Sequence, residues 1–300
     1  MHRLLLNIVC FLFLSSILIS CKISDRNNKN TILIKGSDTM VNLTQRWAEL
    51  FMTKYPEISV QVTGGGSGTG IASLLNGTAN IANISRELKD KEIEKAKSLN
   101  IFPKKFEVAL DGIAIIVNPE NHVNSLSLKE IKDIYSGVIK NWSEVGGLNH
   151  EIILYGRENS SGTYEYFKQS VLGKNDKGFS VDFSVRTQVL QGTAALGEAV
   201  SKDIRGIGYG GVGYFANRED LKVVYIESDE NPGLKFSPVL KGEVNYEIIW
   251  NGNYPLSRYL YCYTNGAPTN EIKKFIDFII SDKGQEIVKN MQYIPLSSEK

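Results

Sequence analysis

The chain has 300 residues, with 34 Lys and Arg against 33 Asp and Glu, and a formal net charge of +1. That balance, with no basic stretch, argues against nucleic acid as a partner, because neutralising a phosphate backbone needs clustered Lys and Arg. The three His residues are scattered, and no His, Cys and Asp cluster has metal-ligand spacing, so no metal or cofactor is expected.

The first element is a targeting segment. Arg3 supplies a positive start, and Leu4 to Ile19 is an apolar run too short for a membrane-spanning helix. It ends in Leu18-Ile19-Ser20-Cys21, which resembles a bacterial lipobox with Cys21 as the acylated residue. Residues 1–20 are read as the signal peptide and residues 21–30 as a polar, lipidated tether. Two acyl chains would give stable anchoring to a bacterial membrane, at its periplasmic face or at the cell surface. Cleavage removes Cys10 and acylation uses Cys21, which leaves Cys262, in an apolar run, as a core thiol.

The folded body begins near Thr31. Thr31 to Lys35 reads as a strand and Met40 to Tyr55 as a helix with Trp47, Leu50, Phe51 and Tyr55 on one face, stopped by Pro56. Ile58 to Thr63 is a strand that runs into a Gly-rich turn and the short helix Ile71 to Asn76. Ala79 to Ile84 is a strand, Lys89 to Leu99 a charged surface helix, and Phe106 to Val117 a long apolar strand. Leu128 to Tyr135, Tyr164 to Leu172 and Thr193 to Ser201 read as helices. Glu151 to Tyr155, Gly206 to Tyr209, Lys222 to Ile226 and Tyr259 to Tyr263 read as strands, and two helices, Asn270 to Ser281 and Lys283 to Met291, close the chain. This is an α/β pattern with mainly parallel pairing. Ile113 to Val117 and Tyr259 to Tyr263 could both carry the chain between domains. Residues 31–112 plus 259–300 would then form one lobe and residues 113–258 the other, with a ligand in the cleft.

Three turns share one design: Gly36-Ser37-Asp38-Thr39, Gly64 to Gly70 and Ser160-Ser161-Gly162-Thr163. Each sets small polar residues before a helix, where unpaired N–H groups and the positive end of the dipole favour an anion. Gly64 to Gly70 has no P-loop Lys and no GxGxxG frame with an acidic ribose partner, so it is not a nucleotide loop. Arg157 ends a strand just before the third turn, an arrangement that suits a tetrahedral oxyanion. Arg86 also follows a strand, and Asp38 could equally cap the Met40 helix.

In this order, Gly36-Ser37-Asp38-Thr39, the Gly-rich turn, Asp111-Gly112-Ile113-Ala114, Ile134-Tyr135-Ser136-Gly137 with Asn141-Trp142, Arg157 with Ser161-Gly162-Thr163, and Gly206-Ile207-Gly208-Tyr209 resemble the periplasmic phosphate-binding proteins of the phosphate ABC importer. The resemblance covers nearly all of the mature chain. It implies a two-lobed periplasmic binding protein fold, type II-like, with two mixed sheets flanked by helices. It implies a monomer that closes on inorganic phosphate and hands it to a membrane permease. It places Asp38, Thr39, Ser67, Arg157, Ser161, Gly162 and Thr163 on the ligand, and Ser37 of the first turn is a further candidate. This chain has Arg86 where better-known members have an Asp, and Asp38 where they have a Thr. The expectation is therefore that Asp38 supplies the carboxylate and Arg86 a second positive charge. A buried carboxylate can accept a hydrogen bond from protonated phosphate, whereas sulfate offers no proton. The competing readings are a binder of sulfate or molybdate, a hydrolase using Ser67 or Ser161, and a surface adhesin. No catalytic residue is expected, since none of the His lies near a turn.

Overall fold

Backbone pairing changes hands along one strand, and that change organises the molecule. In the computed structural model residues 30–228, 231 and 233–296 are described. The expected signal, Cys21 and all but the last residue of the tether lie outside them. The strands are β1 (Thr31–Gly36), β2 (Ser59–Thr63), β3 (Ile81–Ile84), β4 (Pro103–Val117), β5 (Ser125–Ser127), β6 (Ile153–Arg157), β7 (Gln188–Leu190), β8 (Gly206–Gly211), β9 (Lys222–Glu227), the short β10 (Lys235–Phe236), β11 (Val239–Leu240) and β12 (Glu243–Val244), and β13 (Ser257–Asn265). The helices are α1 (Val41–Lys54), α2 (Ser67–Leu75), α3 (Asp90–Ser98), α4 (Leu128–Ser136), α5 (Gly162–Phe167), α6 (Gly192–Ser201), α7 (Tyr246–Trp250), α8 (Asn270–Ile280) and α9 (Asp282–Asn290).

Among the described residues an 11-stranded sheet runs β2-β1-β3-β13-β4-β8-β6-β7, with β5, β9 and β10 joined through β4. Residues 103–112 of β4 pair with β13, and Ile113 to Val117 pair with β8 and β9. The chain therefore crosses at Gly112–Ile113. Pairing is parallel on the flanks, β1 with β2 and β3, and β6 with β7 and β8. It is antiparallel at the junction, where β13 meets β3 and β4, and β4 meets β8. The sheet is thus mixed and continuous through β4, more so than a mainly parallel reading allows, because one long strand serves both halves.

Each half has its own core. One gathers Ile32, Trp47, Phe51, Leu260, Phe275 and Ile279, from both ends of the chain. The other gathers Ile113, Ile131, Trp142, Leu154, Tyr209 and Val224. The apolar residues of α1 recur every four positions, so Leu43, Trp47 and Phe51 are all buried. Trp47 Nε1 donates to the Gly284 carbonyl at 2.9 Å, which ties α1 to α9. α4 starts on a capping box of Ser127 and Glu130 and stops at Gly137, φ +83°. Cys262 is buried in the first core, and desolvation pushes its thiol up, as suits an unreactive core sulfur. At the crossing, the Tyr254 hydroxyl donates to the Ile113 carbonyl at 2.6 Å. Among the described residues no helix is long and apolar enough to cross a membrane.

Candidate functional site

The three small-residue turns meet beside the crossing. Asp38 and Thr39 lie on one turn of 3-10 helix after β1. Ser67 opens α2 after Gly66, whose φ of +86° only Gly adopts cheaply. Ser161 caps α5, accepting the N–H groups of Thr163 and Tyr164 at 3.2 Å each. The first and third turns touch through Thr39 Oγ1 and Thr163 Oγ1, 2.9 Å apart. The second and third touch where the Gly68 N–H donates to the Ser160 carbonyl at 2.9 Å. The first and second touch where the Gly65 N–H donates to Asp38 Oδ1 at 2.8 Å.

The seam is close enough to dictate residue size. A Cβ at Gly162 would stand 2.2 Å from Ser67 Oγ and 2.5 Å from Ser85 Oγ. A Cβ at Gly66 would stand 2.5 Å from the Ser160 carbonyl oxygen. Ser67 Oγ accepts from the Ser85 N–H at 3.0 Å and lies 3.3 Å from Ser85 Oγ. Ser37, Thr39, Ser67, Ser85, Ser161 and Thr163 are all buried.

Two guanidinium groups are buried with them. Arg157, 1% exposed, donates from Nε and Nη2 to Glu158 at 3.0 and 2.9 Å, from Nη1 to Thr193 Oγ1 at 2.7 Å, and from Nη2 to Asp38 Oδ2 at 3.1 Å. Those contacts use four of its five N–H donors. Arg258 pairs with Asp111 at 2.9 Å and also donates to Thr163 Oγ1 at 2.9 Å and Thr39 Oγ1 at 3.3 Å. Burial pushes the Asp111 carboxyl up, while the Arg258 guanidinium draws it down. Tyr214, its hydroxyl pushed up to about 12 by burial, donates to the Asp38 carbonyl at 2.6 Å, and Tyr293 donates to the Thr39 carbonyl at 2.5 Å.

Asp38, Thr39, Ser67, Arg157, Ser161, Gly162 and Thr163 are therefore brought together. Ser37 is buried at the base of the first turn, its N–H donating to the Asn83 carbonyl at 2.8 Å. The Asp38 carboxylate makes no capping bond to its own helix; it reaches to Gly65 and Arg157 instead. Arg86 carries an ion pair of its own. Both its Nη atoms donate to the Glu92 carboxylate at 2.8 Å, and Nη1 also to the Glu87 carbonyl at 2.7 Å. Those contacts tie it to the start of α3. Burial pushes Glu92 up, but hydrogen bonds from Arg86 and the Lys89 N–H outweigh it and hold the carboxyl below its ordinary range. The second buried cation at the turns is Arg258, which no turn motif marks. Ser85, Glu158, Thr193 and Asp111 complete the site. Among the described residues no group of His, Cys, Asp and Glu could hold a metal ion.

A mixed sheet in two halves, with a buried seam of hydroxyls and helix starts beside the crossing strands, is the architecture of a solute-binding protein. A family profile described as "PBP superfamily domain" matches residues 24–283. The chain is 33% identical over 281 residues to the phosphate-binding protein PstS of Pseudomonas aeruginosa, covering 88% of this chain and 82% of that one. It is 32% identical over 257 residues to PstS of Staphylococcus saprophyticus, covering 83% and 76%. A phosphate ABC transporter substrate-binding protein from Clostridium perfringens, solved with bound phosphate, superposes with a TM-score of 0.76 at 31% identity, over 89% of this chain and all of the other. A phosphate transport receptor from Vibrio cholerae superposes with a TM-score of 0.67 at 29% identity, over 88% and 99%. The chain belongs to the PstS family of the PBP superfamily.

Gly162→Ala tests the seam. The new methyl group would overlap two serine oxygens and force the turns apart, at a cost of about 1–3 kcal/mol. Urea unfolding of the variant is expected to show a lower midpoint with an unchanged slope; an unchanged midpoint would mean that the turns are not in contact.

Proposed function

We propose that this protein captures inorganic phosphate between two closing lobes and delivers it to the membrane permease of an ABC importer. The observation that carries the reading is the meeting of Thr39 and Thr163 at 2.9 Å beside buried Arg157 and the start of α5. Chemically this is a nest of donors. Ser161 Oγ already accepts two N–H groups, so its own proton is left to give. Gly162 opens α5 with one of the N–H groups that a helix start leaves unpaired. The ligand set is Ser37, Asp38, Thr39, Ser67, Arg157, Ser161, Gly162 and Thr163, and Arg86 serves α3 through Glu92.

Asp38 gives the site its choice of anion. Its carboxylate has about four lone-pair directions, of which Gly65 and Arg157 take two. A protonated phosphate can donate to a third, while sulfate would meet only repulsion. The lobes are residues 31–112 with 259–300, and 113–258, moving about β4 and β13. The chain is exported, and Cys21 carries the lipid that holds it at the membrane while residues 22–30 act as a tether. It binds rather than transforms its ligand, in keeping with its transport-protein relatives.

Isothermal titration with phosphate and sulfate tests the reading. The protein is expected to prefer phosphate. Arg157→Ala should weaken phosphate binding by roughly 1.5–3 kcal/mol, the range for a hydrogen bond to a charged group. Asp38→Asn should narrow the phosphate-to-sulfate ratio. Equal binding of both anions by the wild type, or wild-type affinity in the Arg157 variant, would contradict the assignment.

The anchor is tested separately. Cys21→Ala should abolish incorporation of labelled fatty acid and release the protein from membranes. Continued labelling of that variant would place the lipid elsewhere or remove it from the account.

A further inference from the structure

Arg258 belongs to no small-residue turn, yet it touches both sides of the seam. It lies on β13 directly opposite Asp111 of β4, next to the point where β4 leaves β13 for β8. The pair is sealed in, with side chains 3% and 0% exposed. A Cβ at Gly211 of β8 would stand 2.9 Å from Asp111 Oδ1 and 2.9 Å from Thr39 Cγ2, so backbone closes the pair from that side. The guanidinium carbon lies 5.3 Å from the Tyr166 ring centroid, and the Tyr166 hydroxyl donates to the Ser257 carbonyl at 2.7 Å.

Arg258 Nε and Nη2 both donate to the single oxygen Asp111 Oδ2, at 3.2 and 2.9 Å. Nη2 also faces Thr163 Oγ1 at 2.9 Å and Thr39 Oγ1 at 3.3 Å. An amino group has two protons. With one given to Asp111, the other is shared by the two threonine oxygens. The Val212 N–H faces the Asp111 carboxylate, and Arg258 Nη1 is buried without a hydrogen-bond partner. The Arg258 protons that Asp111 does not take are thus turned to the threonines or left unspent.

We propose that Arg258, held by Asp111, is a positioning residue that fixes the Thr39 and Thr163 hydroxyls as donors to the bound anion. Each hydroxyl has one proton and can accept through its oxygen. The lone pair that faces the guanidinium cannot accept from the ligand, which biases each hydroxyl toward giving its proton to the anion. The two hydroxyls, 2.9 Å apart, can bond one another, and Arg258 occupies an acceptor position on each, which reduces their capacity to accept from a P–OH group. The hydroxyl pair then favours an unprotonated phosphate oxygen, and the ligand's proton is directed to the carboxylate of Asp38. Thr39 precedes the crossing of β4 and Thr163 follows it, so the same guanidinium aligns donors from both halves.

This inference rests on the phosphate reading above, and the test keeps the two apart. Simple removal of Arg258 would strand a buried carboxylate, so the neutral pair Asp111→Asn/Arg258→Gln is used, with Arg258→Lys as the conservative variant. Phosphate affinity is measured by isothermal titration in the wild-type background and again with Thr163→Val, with thermal melting of each ligand-free protein recorded alongside. The neutral pair should weaken phosphate binding by roughly 10- to 100-fold in the wild-type background and by at least several-fold less once the Thr163 hydroxyl is gone, as expected for groups acting through one contact. Arg258→Lys, which keeps a charged donor, should recover part of the loss. Equal losses in the two backgrounds would overturn the proposal and leave Arg258 as a strand clamp, as would no loss at all. Failure of the wild-type protein to bind phosphate would instead overturn the phosphate reading, and this inference with it.

Discussion

A guanidinium ion taken out of water must be paired, and among the described residues two, Arg157 and Arg258, are buried at this seam. The effective penalty for burying an ion is several kcal/mol even after relaxation, and leaving one unpaired typically costs about 3–5 kcal/mol. Arg157 meets that demand with Glu158, its neighbour in sequence, and with Asp38, which lies on the other side of the crossing. Arg258 meets it with Asp111 across β4 and β13. The compensation is complete only when the turn after β1 lies against the turn after β6. The position of the seam therefore follows from electrostatics as much as from packing, and the glycines at 66 and 162 provide the room for it.

The charge balance explains how such a site can choose among anions. Asp38, Asp111 and Glu158 outnumber Arg157 and Arg258, so side-chain charge alone gives the seam no attraction for an anion. On the proposed reading, what attracts is the set of oriented donors: hydroxyls of Thr39, Ser67, Ser161 and Thr163, and the starts of α2 and α5. Recognition by short-range hydrogen bonds reads where protons sit on a ligand, which net charge does not. It is also screened little by salt, since buried interactions lie outside the ionic atmosphere. The chain's net charge of +1 accords with this, because little long-range steering is called on.

Much of the architecture was legible because it follows from local rules. Repeating small-residue turns, apolar periodicity in α1, α4 and α8, and the long apolar run of β4 each leave a direct mark in the sequence. Arg157 was legible because it ends a strand immediately before a Ser-Gly-Thr helix start. Arg258 was not, because it stands just before the apolar run Tyr259 to Tyr263 with no turn chemistry beside it. Its partner Asp111 is 147 residues away and meets it only through antiparallel register. The Arg86–Glu92 pair was illegible for a related reason. Arg86 stands at a strand end like Arg157, but its partner Glu92 lies in a helix that reads as a charged surface element, and only the fold turns that helix back onto it. The two- and three-residue strands β5, β7, β10, β11 and β12 are shorter than any periodicity that could reveal them.

The central claim is that one anion is held by donors from both halves of the sheet at once. A crystal structure of the phosphate complex is the most direct measurement. The account requires phosphate oxygens within hydrogen-bonding distance of both Thr39 and Thr163, with Arg157 and the Gly162 N–H on the same ligand and Asp38 against its protonated oxygen. Phosphate bound within one half alone, or away from the Thr39–Thr163 pair, would contradict it.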